Sequence, residues 1–438
     1  MEVIATRRIK TKKKTVELYI NYLLTVVFSI VQLTPYLSRN LRAYYCFGIF
    51  CAWILSVFLL ANRFSDFLSN KLFLLGCVLF FYQLVYSIIG LSTIKLQTVV
   101  IRLSIFLIPY GFYVINSRYS IRFLFFLFAS IITILLINLV SNLMLFSQYS
   151  ADYLSAVGDF DLGGTANLTN AGDTSFVFDI SLVLICFFMI FLNIKKIKTR
   201  VISICIVATC FYYLVFLNQR ATTIILLLFT AFALFLCSFG IKKGTINSKR
   251  VIIVLLLAII FIAEIKNLLI WIGNNIQGKW INEKINDLIR LFEGNGSVVS
   301  DYGSLAVRIE FALLSLKTFS KSIVTVLFGI GEQYVPSGTY YYLMQSGVGG
   351  HSEFVDLLAE YGLLGAVIMF YSIKEVIKHQ FYKLKTNELK IQFVIITTYI
   401  LAYGFLNNFI YGSSMILISF ILPFSFFLCD QYTKGSVK

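Results

Sequence analysis

The sequence predicts an all-α, polytopic integral membrane protein of about twelve transmembrane helices with a large extracytoplasmic helical loop. Three observations carry that expectation. Of 438 residues, 59% are hydrophobic and only 13% are charged, too little polar surface for a soluble chain of this length. Apolar runs of roughly twenty residues, the length that crosses a hydrocarbon core, recur along the chain. Short basic runs separate them: RRIKTKKK at the start, KKIKTR from Lys195 and KKGTINSKR from Lys242.

The rest of the composition agrees. Phe contributes 43 residues, Tyr 26 and Pro only 4, a mix suited to lipid-facing helices with aromatic interfaces and foreign to disordered or collagen-like chains. The formal charge of +16 would suit nucleic acid, but it sits in loops between apolar runs and no soluble domain carries it. The expected partner is a lipid bilayer, with no nucleic acid. The eight cysteines lie in or at the ends of apolar runs without a C-x-x-C pair, which reads as small buried hydrophobes. With only two histidines, no metal centre is expected. The basic start leads into a full-length apolar run without a small-residue cleavage site, so no cleavable signal peptide is expected.

In chain order, the candidate spans cover about 17–37, 43–61, 72–91, 97–115, 121–145, 175–194, 200–218, 221–240, 250–270, 353–373, 391–408 and 412–430. An even number places both termini on one side, and the basic N-terminus makes that side the cytoplasm. Loops assigned inside then hold 25 of the 37 Lys and Arg. Seven of the others run from Lys266 to Lys321, in or beside one long segment, where the charge rule is weak. The organisation is nine helices over 1–270, an extracytoplasmic loop over 271–350 and three helices over 351–438.

Two outer segments stand out. Residues 146–174 contain no Lys or Arg but four aspartates, Asp152, Asp159, Asp161 and Asp173. Residues 271–350 contain helical patterns: WINEKINDLIRLF from Trp280 reads as a helix on the membrane surface, and the run from Arg308 to Gly331 reads as a second amphipathic or partly embedded helix. Loops this long are usually functional. No internal repeat of the kind common in secondary transporters is visible.

The strongest local signal is SGVGGHSEFVDLLAEYGLLGAVIMF from Ser346. Only about a dozen residues separate Tyr361 from Lys374, too few at about 1.5 Å each to cross a core of about 30 Å. The span therefore has to begin near Glu353. Spacings of three and four put Glu353, Asp356 and Glu360 on one helical face, with His351 opposite. Acids at such depth face a cavity or pair with basic residues of other helices. His351, after a glycine pair, is a candidate general base or a solvated helix-start histidine. Arg220 occupies a very short outer turn, against the charge bias, and a guanidinium suits phosphate oxygens. Arg308 and Arg290 are further candidates, the latter also readable as part of a solvated face. Asp179, Glu264 and Arg102 lie in or beside apolar runs, and Asp179 and Arg102 could pair across helices. Tyr334 and the run Tyr340, Tyr341, Tyr342 suit stacking on sugar rings or an interfacial aromatic belt.

Three stretches resemble the O-antigen polymerase and O-antigen ligase superfamily. They are HSEFVDLLAEYGLLG, NQRATTIILLL and RIEFALLSLKTFSKSIVTVLFGIGEQY. Order, spacing and the plan of about twelve spans agree, so the resemblance covers most of the chain. It implies a glycosyltransferase of the bacterial inner membrane using an undecaprenyl diphosphate-linked glycan, without metal or nucleotide sugar. Arg220 and Arg308 would hold the diphosphate and His351 would take the acceptor proton. Glu353, where many relatives carry an amide, would assist the base or only start the helix. The expected activity is polymerisation of repeat units into O-antigen or capsular polysaccharide, with a chain-length regulator and a flippase as further partners. A ligase passing finished glycan to lipid A core shares these motifs. A lipid-linked oligosaccharide flippase or other transporter is the alternative from another class.

Overall fold

The computed structural model describes residues 71–88, 121–148, 174–218, 221–242, 245–246, 305–331, 347–350, 352–381, 384–407 and 412–433, together with helical residues scattered over 19–32, 44–55 and 264–271. Its long elements are helices: α1 (Lys71–Ile88), α2 (Ile121–Gln148), α3 (Thr174–Asn193), α4 (Ile197–Tyr212) and α5 (Ala221–Gly240), then α6 (Leu305–Phe319), α7 (Ile323–Phe328), α8 (Glu353–Phe381) and α9 (Asn387–Leu406), and finally α10 (Gly412–Ile416) and α11 (Leu422–Thr433). Wide π turns at Tyr213–Asn218 and Leu417–Ile421 continue α4 and join α10 to α11. Beyond α5, Ile241–Lys242 and Thr245–Ile246 form a two-residue antiparallel ladder at the start of a basic loop.

Among the described residues, seven helical stretches are long and apolar enough to cross a membrane: Leu124–Met144, Phe176–Asn193, Ile197–Leu217, Thr222–Phe239, Glu353–Tyr371, Asn387–Leu406 and Ser414–Tyr432. Each coincides with an expected span. The expected span over 72–91 is a helix, α1, outside those seven. The spans over 97–115 and most of those over 17–37, 43–61 and 250–270 lie outside the described residues, as do much of the expected loop and the surface helix from Trp280.

The helix α3 is the hub. Its span is 78% buried, against 28% for α4. Helices α4, α5, α9, α10 and α11 all pack on α3, an enclosure that keeps its buried Asp179 and Ser181 away from lipid. By contrast, α4 turns Ile197, Val201, Ile202 and Ile204 outward, apolar surface that suits lipid tails. Polar contacts tie the bundle together. Asn193 of α3 donates to Gln392 of α9 at 2.9 Å, and Gln392 donates to Ser238 of α5 at 2.8 Å. Gln392 is fully buried. Elsewhere Lys71 of α1 meets Glu375 of α8 at 3.1 Å and lies 4.8 Å from the Tyr371 ring centre. Helices α6 and α7 pack against the N-terminal half of α8.

One expectation needs correction. The run from Arg308 to Gly331 is two helices rather than one. Ser322 ends the first by capping the second: Thr325 N–H donates to Ser322 Oγ at 3.1 Å, and Ser322 N–H donates to Thr325 Oγ1 at 2.9 Å. The span from Glu353 begins where expected and carries a kink that hydropathy does not report. Gly362 has φ 61° and ψ −166° inside α8. Only glycine takes such a conformation without a steric penalty.

Candidate functional site

The break at Gly362 determines the architecture around it. It takes the following amides out of line with the carbonyls of the preceding turn, which would otherwise be their acceptors. Other elements supply the missing donors. Ile330 N–H donates to the Ala359 carbonyl at 2.9 Å, and Gly331 N–H donates to the Glu360 carbonyl at 2.8 Å. The Tyr82 hydroxyl of α1 donates to the Tyr361 carbonyl at 2.9 Å. Three consecutive carbonyls are thus satisfied from two segments distant in sequence, as buried backbone requires.

The contact is backbone against backbone, so side chains are excluded from it. A Cβ on Gly329 would overlap the Glu360 carbonyl, and one on Gly362 would come within 2.5 Å of the Leu327 carbonyl. Both residues have positive φ, 73° and 61°. Tyr86 completes the junction by donating to the Phe328 carbonyl, while its oxygen lies 3.0 Å from that of Tyr82. The Tyr86 and Tyr361 rings meet edge to face, 5.6 Å between centres.

One and a half turns nearer the start of α8, a second set of contacts holds the loop that precedes it. Gly349 N–H donates to Ser315 Oγ of α6 at 2.9 Å. The Ser315 hydroxyl donates to Asp356 Oδ1 at 2.6 Å, and Ser352 N–H donates to Asp356 Oδ2 at 3.0 Å. Ser315, Ser352 and Asp356 are all buried. Both carboxylate oxygens therefore take hydrogen bonds from neutral donors, and the carboxylate lies in the first turns of α8, where the helix dipole favours negative charge. A Cβ on Gly349 would overlap the Phe311 carbonyl, which brings the loop flush with α6.

Glu353 opens α8 and is half-buried, as is Glu360 about two turns along. Arg308 belongs to the first turn of α6, and its side chain lies outside the described residues. Arg220, Arg290, Tyr341 and His351 lie outside them as well, as do Arg102, Tyr334, Tyr340 and Tyr342. The chain neighbours of His351, Gly350 and Ser352, are described, and Ala221, which follows Arg220, begins α5. Asp179 is buried in α3, and Glu264 accepts from Asn267 at 2.6 Å. The expected Asp179–Arg102 pair falls outside the described residues.

Sequence reasoning did not single out Ser315, Tyr82 or Tyr86. Tyrosines four apart in FFYQLVYS were a signal for one helical face, and Gly329-x-Gly331 with Gly362-x-x-Gly365 was a signal for close backbone approach. No family model matches the chain, and no curated protein matches it.

Proposed function

We propose that the protein is a polymerase that joins undecaprenyl diphosphate-linked repeat units into O-antigen or capsular polysaccharide at the outer face of a bacterial inner membrane. The observation that carries this reading is the fastening of the Gly349–Ser352 loop to α6 and α8. Arg308 lies on α6 and Glu353 opens α8, and the same buried contacts join those two helices beside the chain position of His351. Reactive groups gain from such rigid support.

In this reading Arg220 and Arg308 bind the diphosphate of the donor, with Arg290 and Tyr341 along the glycan. The acceptor hydroxyl attacks the anomeric carbon while His351 takes its proton, aided by Glu353. The bond from that carbon to the diphosphate oxygen breaks, and undecaprenyl diphosphate leaves with the electron pair. The two guanidinium groups offset the charge that grows on the leaving group. A single displacement inverts the anomeric carbon. No cofactor or metal enters the step. About twelve spans, cytoplasmic termini and a large outer loop complete the reading, with a flippase and a chain-length regulator as partners.

Deleting the gene and running the surface polysaccharide on a gel tests this directly. Single-repeat glycans on the final acceptor support a polymerase, and absence of any attached glycan points instead to a ligase. Transport of lipid-linked glycan by reconstituted protein that never extends a chain would rule the reading out. Replacing Arg220, Arg308 or His351 with Ala should leave inserted protein that makes no long chains; full-length polymer from all three would also rule it out.

A further inference from the structure

Two buried side chains outside the proposed chemistry fasten the loop on both sides of residue 351, and we infer that Ser315 and Asp356 are positioning residues for His351. This rests on the role proposed for that histidine. The contacts form one continuous chain: Gly349 N–H to Ser315 Oγ at 2.9 Å, Ser315 Oγ to Asp356 Oδ1 at 2.6 Å, and Ser352 N–H to Asp356 Oδ2 at 3.0 Å. The two anchored amides, of residues 349 and 352, bracket residue 351 in the chain. Both are tied, directly or through one hydroxyl, to a single carboxylate.

Helix capping alone does not explain the arrangement. Ser352 occupies the cap position and is a preferred cap residue. Its hydroxyl nevertheless has no hydrogen-bond partner among the described residues. Asp356 reaches back from the second turn to hold the cap amide, although its own N–H already donates to the Ser352 carbonyl at 2.8 Å. Ser315 is fully buried and Asp356 is 5% exposed, so a carboxylate has been taken out of water for this purpose. Burying a carboxylate is costly and adds little net stability over an apolar substitute, whereas it fixes orientation well. The loop needs fixing, because Gly347 and Gly350 hold positive φ, 74° and 69°, in a segment rich in glycine.

The test uses the full-length protein in lipid nanodiscs with a lipid diphosphate-linked repeat unit as substrate. Turnover is measured together with hydrogen exchange of peptides covering 330–331 and 347–356. Ser315→Ala and Asp356→Asn should each lower kcat by about 100-fold, as a misplacement of about 1 Å does, with KM nearly unchanged. Ser315→Thr, which keeps the hydroxyl, should recover most of the loss. Exchange at the Gly349 and Ser352 amides should rise while Ile330 and Gly331 stay protected. Unchanged exchange at 349 and 352, or a raised KM with kcat intact, would overturn the inference. If Asp356→Asn fails to fold, the Ser315→Ala and Ser315→Thr pair decides alone. Failure of the underlying reading looks different: His351→Ala would keep full turnover while exchange in Ser315→Ala still rises, and the positioning role would fall with it.

Discussion

The bundle around α3 and the junction where α6 and α7 meet α8 are built on opposite principles. Around α3, apolar side chains fill the space and a few polar side chains reach across, as in the Asn193–Gln392–Ser238 chain. At the junction, backbones touch. Glycines at 329, 349 and 362 allow contacts that any side chain would block, and carbonyls of α8 take amides from residues 330 and 331. Side-chain packing relaxes around a substitution, whereas backbone contact has nothing to relax. The first region should therefore absorb change, and the second should fail abruptly.

The largest effect should come from Gly329→Val or Gly362→Val. Each adds a branched side chain at positive φ against a carbonyl, and each should abolish the monodisperse folded peak in size-exclusion chromatography. In the bundle, Leu135→Ala should cost about 2–5 kcal/mol by leaving a cavity, yet still give a folded protein with a lower Tm. Equal loss of folded protein from the two kinds of change would erase the distinction. Asp356→Ala should cost about 1–3 kcal/mol by stripping the Ser315 hydroxyl and the Ser352 amide of their acceptor, read as a fall in Tm. Gln392→Leu should cost only about 0.6 kcal/mol, the usual worth of a hydrogen bond between membrane helices, by the same measurement.

The smallest effect should be at Lys71. Its hydrogen bond with Tyr371, and secondarily Glu375, holds its pKa above the ordinary 10.5. A raised lysine pKa adds stability that is complete below 10.5 and lost as pH rises through the folded value. That contribution is present at neutral pH but small, because the ammonium is exposed and well screened, so Lys71→Met should leave Tm at pH 7 within measurement error. A clear fall there would mean that the contact of α1 with α8 is less tolerant than its exposure implies.

These contrasts explain what could be read from sequence. Helices α2 to α5, α9 and the α10–α11 span follow from length and hydropathy, because lipid rewards any apolar run that closes its own hydrogen bonds. The acidic face was also legible: Asp356 is buried and Glu353 and Glu360 are half-buried at the expected spacing. Its partner was not. Ser315 lies 41 residues earlier in an ordinary helical pattern, and serine gives no hydropathy signal. The break in α8 was hidden because an apolar run does not encode φ; Gly362 reads as one more small residue in a span. The end of α6 was hinted at by S-x-x-T from Ser322, which was absorbed into a longer amphipathic pattern. Arg220, Arg290, Tyr341 and His351 were proposed from residue chemistry, and they lie outside the described residues.

The carbonyl clamp at the Gly362 break also imposes an order on biogenesis. Ile330 and Gly331 are synthesised before the carbonyls that will accept their amides exist, and their amides stay uncommitted for that interval. The Tyr82 hydroxyl waits longer, since its acceptor lies 279 residues downstream, roughly half a minute at about 10 residues per second. The junction therefore closes late, after nearly all the chain ahead of α9 has been synthesised. A nascent chain arrested before residue 359 would carry every helix up to α7 and still lack the junction.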